Sequence, residues 1–277
     1  MSRWVDAGGG VETAARPAAE APSALAWFLL RDESPAPGWQ NMALDQGLLD
    51  LARETSAGFL RLYRWDPPCL SFGRHEPALR RYDRERIERL SLDVVRRPTG
   101  GRAVWHATEL TYAVAAPLAA FGSAPRAYRA IHLLLASALA QAGIETDLAP
   151  APGHPVSLAS GPCFSRAVGG ELLVGTRKVV GSAQLVEGGA FLQHGTLQLE
   201  DTQSLVRELS GVGTPAPSGS GLASSSRLGF EELTEAVSQA ARAWPGTWTR
   251  IDADSSIRQA AAAHEGRFRS PEWTWRR

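Results

Sequence analysis

The spacing of apolar residues changes period several times along the chain, and each change marks an element. Residues 25–30 form a short apolar run and predict a strand. Leu44, Leu48 and Leu51 fall at i, i+4 and i+7, which predicts a helix. Asn41 is its expected N-cap, with Asp45 in the first turn where the helix dipole favours an acid. FLRLYRW over 59–65 alternates with period two and predicts a strand, and 69–72 after Pro67-Pro68 predicts another. A charged surface helix is expected over 82–90, and strands over 92–97 and 110–115 flank a glycine loop. The clearest helix covers 126–142: Pro125 fits N1, Tyr128, Ile131, Leu135 and Leu139 share a face, and Gly143 fits C′. Residues 171–174 and 178–186 predict a hairpin around Gly175-Thr176, and a second hairpin turns at Gly188-Gly189 into 190–199. An amphipathic helix over 230–244 is stopped by Pro245. Strands and helices mix without regular βαβ alternation, so the expected class is α+β, a mixed β-sheet flanked by helices. Residues 1–24 are Ala-, Gly- and Pro-rich and read as a disordered tail, 213–227 as a mobile connector, and 25–277 as the working domain.

Composition narrows the classes. Hydrophobic residues make up 44% and charged residues 21% of 277, which fits a globular chain. Lys+Arg and Asp+Glu both count 29, so no single-sign field argues for nucleic acid or a membrane surface. No run approaches the length of a membrane span, and 1–24 lack the apolar core of a secretory signal. Two cysteines make no disulfide framework, and the expected compartment is a reducing cytoplasm. Of the 29 basic residues only one is Lys, at 178. A solvated Lys can drift to Arg at little cost, whereas a site needing a tunable amine cannot, because guanidinium stays charged. Lys178 is therefore a candidate for chemistry before any motif is consulted.

Three glycine-bearing segments stand out. RRPTGGRAVWH over 96–106, continuing to ELTY at 109–112, places paired glycines between strands, where backbone can approach a ligand and present N–H groups. GTRKVVGSAQ over 175–184 carries Lys178; on one continuous strand Lys178, Val180 and Ser182 face one side, while small Gly181 and Ala183 leave room for a linear ligand on the other. LQHGTL over 192–197 puts a His before a Gly on the returning strand, either lining the same cavity or packed as an ordinary core histidine. Cys163 follows Gly161-Pro162 in a loop-like stretch, while Cys69 sits in the apolar run PPCLSF and reads as core. Arg80, Arg81, Arg84, Arg86 and Arg89 form a basic cluster that could dock an acidic carrier protein, but Asp83, Glu85 and Glu88 interleave with it, which favours a solvated helix face.

RRPTGGRAVWH…ELTY, CF…GTRKVVGSAQ and LQHGTLQL, in that order, resemble the lipoate–protein ligase and octanoyltransferase family, as do NMALD at 41–45 and the closing RFRSPEWTWRR. The resemblance runs from about residue 27 to the end of the sequence. It implies the biotin/lipoate ligase catalytic fold. Cys163 lies 15 residues before Lys178, a spacing similar to that of Cys-type octanoyltransferases. That likeness implies a Cys163 acyl-thioester with Lys178 lowering the thiol pKa and relaying protons. It assigns acyl and substrate binding to Arg97, Thr99, Gly100, Gly101, Arg102, His106, Gly181, Ser182, Ala183, Gln184, His194 and Gly195. The implied donor is octanoyl-acyl carrier protein and the implied acceptor a lysine of a lipoyl domain or a glycine-cleavage H-type protein. Neither a metal nor an ATP requirement is expected. Three other readings are an ATP-dependent lipoate ligase with an incidental Cys163, an amidotransferase between lipoyl domains, and a non-catalytic acyl-binding protein. A binder has no need of both Cys163 and Lys178.

Overall fold

The computed structural model describes residues 21–149, 170–210, 222 and 228–276. Cys163, most of the expected tail and nearly all of the expected 213–227 connector lie outside the described residues. In chain order the elements are β1 (Leu25–Arg31), α1 (Gly38–Thr55), β2 (Gly58–Tyr63), β3 (Cys69–Phe72), α2 (Ala78–Arg81), α3 (Arg84–Arg89), β4 (Asp93–Arg96), β5 (Val104–His106) and β6 (Glu109–Pro117). After a 3₁₀ turn come α4 (Ala124–Gln141), β7 (Asp147–Leu148), β8 (Leu172–Val174), β9 (Arg177–Lys178), β10 (Val180–Glu187), β11 (Ala190–Gln198) and α5 (Ser204–Leu209). The chain closes with α6 (Phe230–Ala241), β12 (Gly246–Ile251), α7 (Ser255–Arg269) and α8 (Pro271–Thr274).

The main sheet runs β10-β11-β6-β2-β1-β12. β1 pairs in parallel with β2 and β12, and the remaining pairs are antiparallel. This is the mixed sheet of an α+β fold. Both faces are covered. Helices α4 and α6 close one face over Trp27, Leu60, Leu62, Tyr112 and Val114. Helices α1 and α7 close the other over Leu30, Phe59, Tyr63, Ala113 and Leu192. Helix α7 crosses α1 closely because Gly47 has no side chain; a Cβ there would lie 2.7 Å from the Ala261 nitrogen. Two small sheets, β4-β3-β5 and β7-β8-β9, frame the large one.

Several local expectations change. Helix α1 begins at Gly38 with Pro37 as N-cap, so Asn41 caps nothing. Its side-chain amide instead donates to the carbonyls of Ala36 and Arg64, at 3.0 and 3.1 Å, and its oxygen accepts from Arg61. Asp45 sits in the helix interior, fully buried, and not in the first turn. The charged helix is two pieces, α2 and α3, with Asp83 capping the second through the Arg86 N–H. Its exposed Arg84–Glu88 and Arg89–Glu85 pairs make it a solvated face. Helix α4 starts at Ala124 with Ser123 as N-cap. The expected strand through Lys178 and Ser182 is broken at Val179. The Val179 N–H donates to Leu172 in the small sheet, while its carbonyl accepts from Gln198 in the main sheet. Lys178 therefore belongs to β9 and pairs with Leu173, whereas Gly181, Ser182 and Ala183 belong to β10.

Candidate active site

A cavity of about 370 Å³, mouth included, lies on the α1 side of the sheet near its β10 edge. Gly181, Ser182 and Ala183 of β10 and His194, Gly195 and Thr196 of β11 form one wall. Met42, Tyr63, Trp65, Val104 and Thr111 also line it, with Arg97, Gly101 and His106. Register explains the grouping. Gly181, Thr196, Thr111 and Tyr63 stand opposite one another across four adjacent strands, so their side chains share a face.

Two buried polar networks fix this lining. Trp65 stacks on His106 with ring centroids 4.0 Å apart, and its indole N–H donates to Thr111 at 2.8 Å. His106 is held between Ser71, at 2.6 Å, and Glu109. Arg97 donates to Ser71 and to the carbonyls of Gly100 and Arg102, at 3.2 and 2.8 Å, which ties the glycine loop to β3. The loop packs closely: a Cβ on Gly73 would lie 1.8 Å from the Gly101 oxygen. Gly101 itself has φ +87°, which a side chain rarely tolerates.

The second network centres on Asp45. It accepts from His194 Nδ1 at 2.8 Å, the Tyr63 hydroxyl at 2.8 Å and Arg61 at 2.9 Å. His194 Nε2 meets the Thr99 hydroxyl at 2.6 Å. Burial opposes charge on Asp45, yet the bond from His194 and the charge on Arg61 outweigh it and hold the carboxyl below its ordinary pKa. Burial lowers the His194 pKa; Asp45 offsets part of this, and the Arg97 charge adds to it.

Lys178 does not line the cavity. Its Nζ lies 2.8 Å from Glu171 Oε1, and both side chains are 3% exposed. Behind this pair, on the α4 side, the Ser182 hydroxyl bonds to Tyr112 at 2.7 Å and His132 Nε2 at 3.1 Å. His132 Nδ1 bonds to the Tyr128 carbonyl, so Nε2 is the acceptor for Ser182. Burial, with the Lys178 charge adding, pushes the His132 pKa down to about 4. Burial raises that of Tyr112 to about 12.

The glycine loop, the β10 segment and the His-Gly segment thus converge. Arg97, Gly101, His106, Gly181, Ser182, Ala183, His194 and Gly195 line the cavity, while Thr99, Gly100 and Arg102 build the loop behind it. Gln184 lies outside the lining and donates to Gln193 at 3.2 Å. Cys69 is fully buried in β3, and desolvation with nearby Asp93 pushes its thiol well above the ordinary value. Asp45, Arg61, Tyr63, Trp65, His132 and Glu171 were not foreseen as site residues. A signal existed for two of them: Arg61 and Tyr63 share the Phe59 face of an alternating strand, and an inward Arg demands a buried carboxylate. Among the described residues no cluster of His, Cys, Asp and Glu could hold a metal, and no helix is long and apolar enough to cross a membrane.

Comparison with known proteins places this architecture in a family. Residues 37–238 match the lipoyl protein ligase A/B catalytic domain, and the chain belongs to that family. It is 34% identical over 274 residues to octanoyltransferase LipM of Exiguobacterium sibiricum, covering 91% of this chain and 99% of that relative. It is 39% identical over 183 residues to octanoyltransferase LipM of Carboxydothermus hydrogenoformans, covering 64% and 67% of the two chains. The fold matches that of protein Ta0514 of T. acidophilum with bound lipoic acid, at TM-score 0.72 and 17% identity, over 91% of this chain and 99% of that one. It also matches lipoate-protein ligase A bound with ATP, at TM-score 0.71 and 18% identity, over 91% and 98%.

Proposed function

We propose that this chain transfers an octanoyl group from an acyl carrier protein thioester to a lysine of a lipoyl-accepting protein, a lipoyl domain or an H-type protein. The observation that carries the reading is similarity to an octanoyltransferase over that relative's whole length. The narrow cavity supports it, since Gly181 and Ala183 leave space along the sheet for a linear acyl chain.

Cys163 is the proposed nucleophile. Its thiolate attacks the donor carbonyl, the carrier thiolate leaves and takes a proton from the Lys178 ammonium, and an octanoyl thioester remains on the enzyme beside a neutral Lys178 amine. The acceptor amine then attacks that thioester, an amide forms, and the Cys163 thiolate is released. The neutral Lys178, held beside Glu171, takes the proton that the acceptor amine loses and returns to the ammonium form that stabilises the released thiolate. The glycine loop around Thr99, Gly100, Gly101 and Arg102 presents backbone N–H groups to the developing oxyanion. A thioester donor carries its own activation, so no ATP enters this scheme.

Intact-mass measurement tests it. Octanoyl carrier protein alone should leave one octanoyl group on the enzyme, removable with hydroxylamine, with neither ATP nor acceptor present. Cys163→Ala should abolish the label and Cys69→Ala keep it. An unlabelled enzyme that modifies the acceptor only with ATP would sink the transferase reading and support a ligase.

A further inference from the structure

We propose that Thr99, His194 and Asp45 are positioning residues for this transfer, a one-directional hydrogen-bond relay that holds the glycine loop against the cavity. The proposal rests on the octanoyl-transfer reading for its reaction and on geometry for its parts.

The direction of the relay follows from what each group can do. An ionised carboxylate only accepts, so at 2.8 Å from Asp45 the His194 Nδ1 must carry the proton. That leaves Nε2 with a lone pair, and the Thr99 hydroxyl, 2.6 Å away, must donate to it. All three side chains are buried, so water offers no substitute partner. Thr99 is held a second time, because its carbonyl accepts the Arg74 N–H at 2.7 Å. One residue of the loop is thus pinned through both side chain and backbone.

Hydroxyl, imidazole and carboxylate in this order also describe a nucleophile-activating triad. Electrostatics favour positioning instead. The fully buried Arg61 pairs with Asp45 at 2.9 Å and with Asp32 at 2.6 Å, so part of the Asp45 charge is already engaged away from His194. Burial works against an imidazolium at His194 more strongly than the bond and charge of Asp45 favour it, and Arg97 adds repulsion. His194 stays neutral, and the work of the relay is geometric.

The loop has little room for error. The Gly101 oxygen lies where a Cβ on Gly73 would sit, and Ala183 Cβ is 3.6 Å from where a Cβ on Gly101 would sit. Movement of Thr99 shifts the loop relative to the β10 wall. A misplacement of about 1 Å costs on the order of 10² in rate.

Thr99→Val keeps the shape and removes the hydroxyl, while Thr99→Ser restores it. Thr99→Val should lower kcat for octanoyl transfer by about 10- to 100-fold, with an unchanged pH-profile shape and KM for the donor within about threefold. Thr99→Ser should return kcat to within about threefold of wild type. Wild-type kcat in Thr99→Val overturns the proposal. So does a pH limb that disappears in Thr99→Val, which would make the relay a proton path. A second arm needs no donor. In ¹⁵N-histidine-labelled enzyme, the His194 signals, assigned by their loss in His194→Gln, should show Nδ1 protonated and Nε2 bare. The Nε2 signal should move in Thr99→Val and stay in Thr99→Ser. A protonated Nε2 in the wild type overturns the relay, while an inactive wild type with the expected tautomer overturns the transfer reading alone.

Discussion

The two faces of the main sheet are both covered by helices and differently built. On the α4/α6 face, Trp27 packs with Phe121, Trp244 and Trp248, the last stacked at 5.2 Å with rings 8° apart. Such contacts need only shape and apolar area. On the α1 face, Asn41, Asp45, Arg61, Tyr63 and His194 form one hydrogen-bonded cluster inside an otherwise apolar layer. Burying those groups stabilises little in itself, because each must first lose its water. Their cluster lies against the cavity. The α1 cluster thus stands where a ligand would need fixed walls, while the α4/α6 face sets a polar group of its own, Tyr112, Ser182 and His132, beside an aromatic core.

The contrast breaks first at Asp45. Asp45→Asn keeps the volume and strips Arg61 of its buried counter-charge, although Asp32 remains at 2.6 Å. We expect a loss on the order of 3–5 kcal/mol in urea unfolding. A loss below ~1 kcal/mol would show that Asp32 alone satisfies Arg61.

Acid should act first on the α4 side, which carries polar groups of its own in His132, Ser182 and Tyr112. His132 has a folded pKa of about 4, below the ~6.5 of an unfolded histidine. As pH falls from ~6.5 to about 4 the unfolded chain takes up a proton that the folded chain refuses, and stability drops by about 3 kcal/mol. His194, also lowered, acts in the same direction. Asp45, held low, keeps its contribution above the unfolded ~3.9 and loses it as pH falls further. Denaturation midpoints between pH 7 and pH 4 should fall in the wild type and fall less in His132→Gln. Equal slopes would remove His132 from the account.

The sequence exposed the apolar half of this arrangement more readily than the polar half. Alternation in 59–65, the stripe in α4 and the turn at Gly175-Thr176 are local signals, and the strand, helix and turn they predict exist, although the strand after that turn leaves its partner at Val179. Strand β12 and helix α7 left no such trace. β12 is largely exposed, and α7 buries only Ile257, Ala261 and Phe268, too few for a stripe. Asn41 and Asp45 look like helix-start residues in a linear reading. Their true partners, Arg64, Arg61, Tyr63 and His194, come from β2, the turn after it and β11, and only pairing across the sheet reveals them. The three glycine segments were legible as chemistry. Glu171 and His132 were not, because a lone acid and a lone helix histidine carry no motif.

Lys178 adds an effect on rate rather than on folding. Lys178→Arg keeps the charge but forces a wider, planar group into a pair that is 3% exposed on both sides. We expect octanoyl transfer to slow by ~10²-fold or more, the scale of a lost positioned acid or base. A near-wild-type rate would defeat the proton-passing role. Recovery at alkaline pH would restrict Lys178 to stabilising the thiolate.

The smallest effect should come from the other face. Leu62 is fully buried between β1 and β6, under the aromatic cluster that includes Trp27, and makes no polar contact through its side chain. Leu62→Met nearly conserves volume and replaces a branched side chain by a flexible one, so neighbours can close around it for less than ~1.5 kcal/mol. For a chain of this size that is a fall in Tm of roughly 2–6 °C, with octanoyl transfer unchanged because the side chain points away from the cavity. The comparison with Asp45→Asn is informative because both substitutions nearly conserve size at fully buried positions. If Leu62→Met cost as much as Asp45→Asn, buried volume alone would govern both faces, and the polar cluster would have no special claim to holding the site.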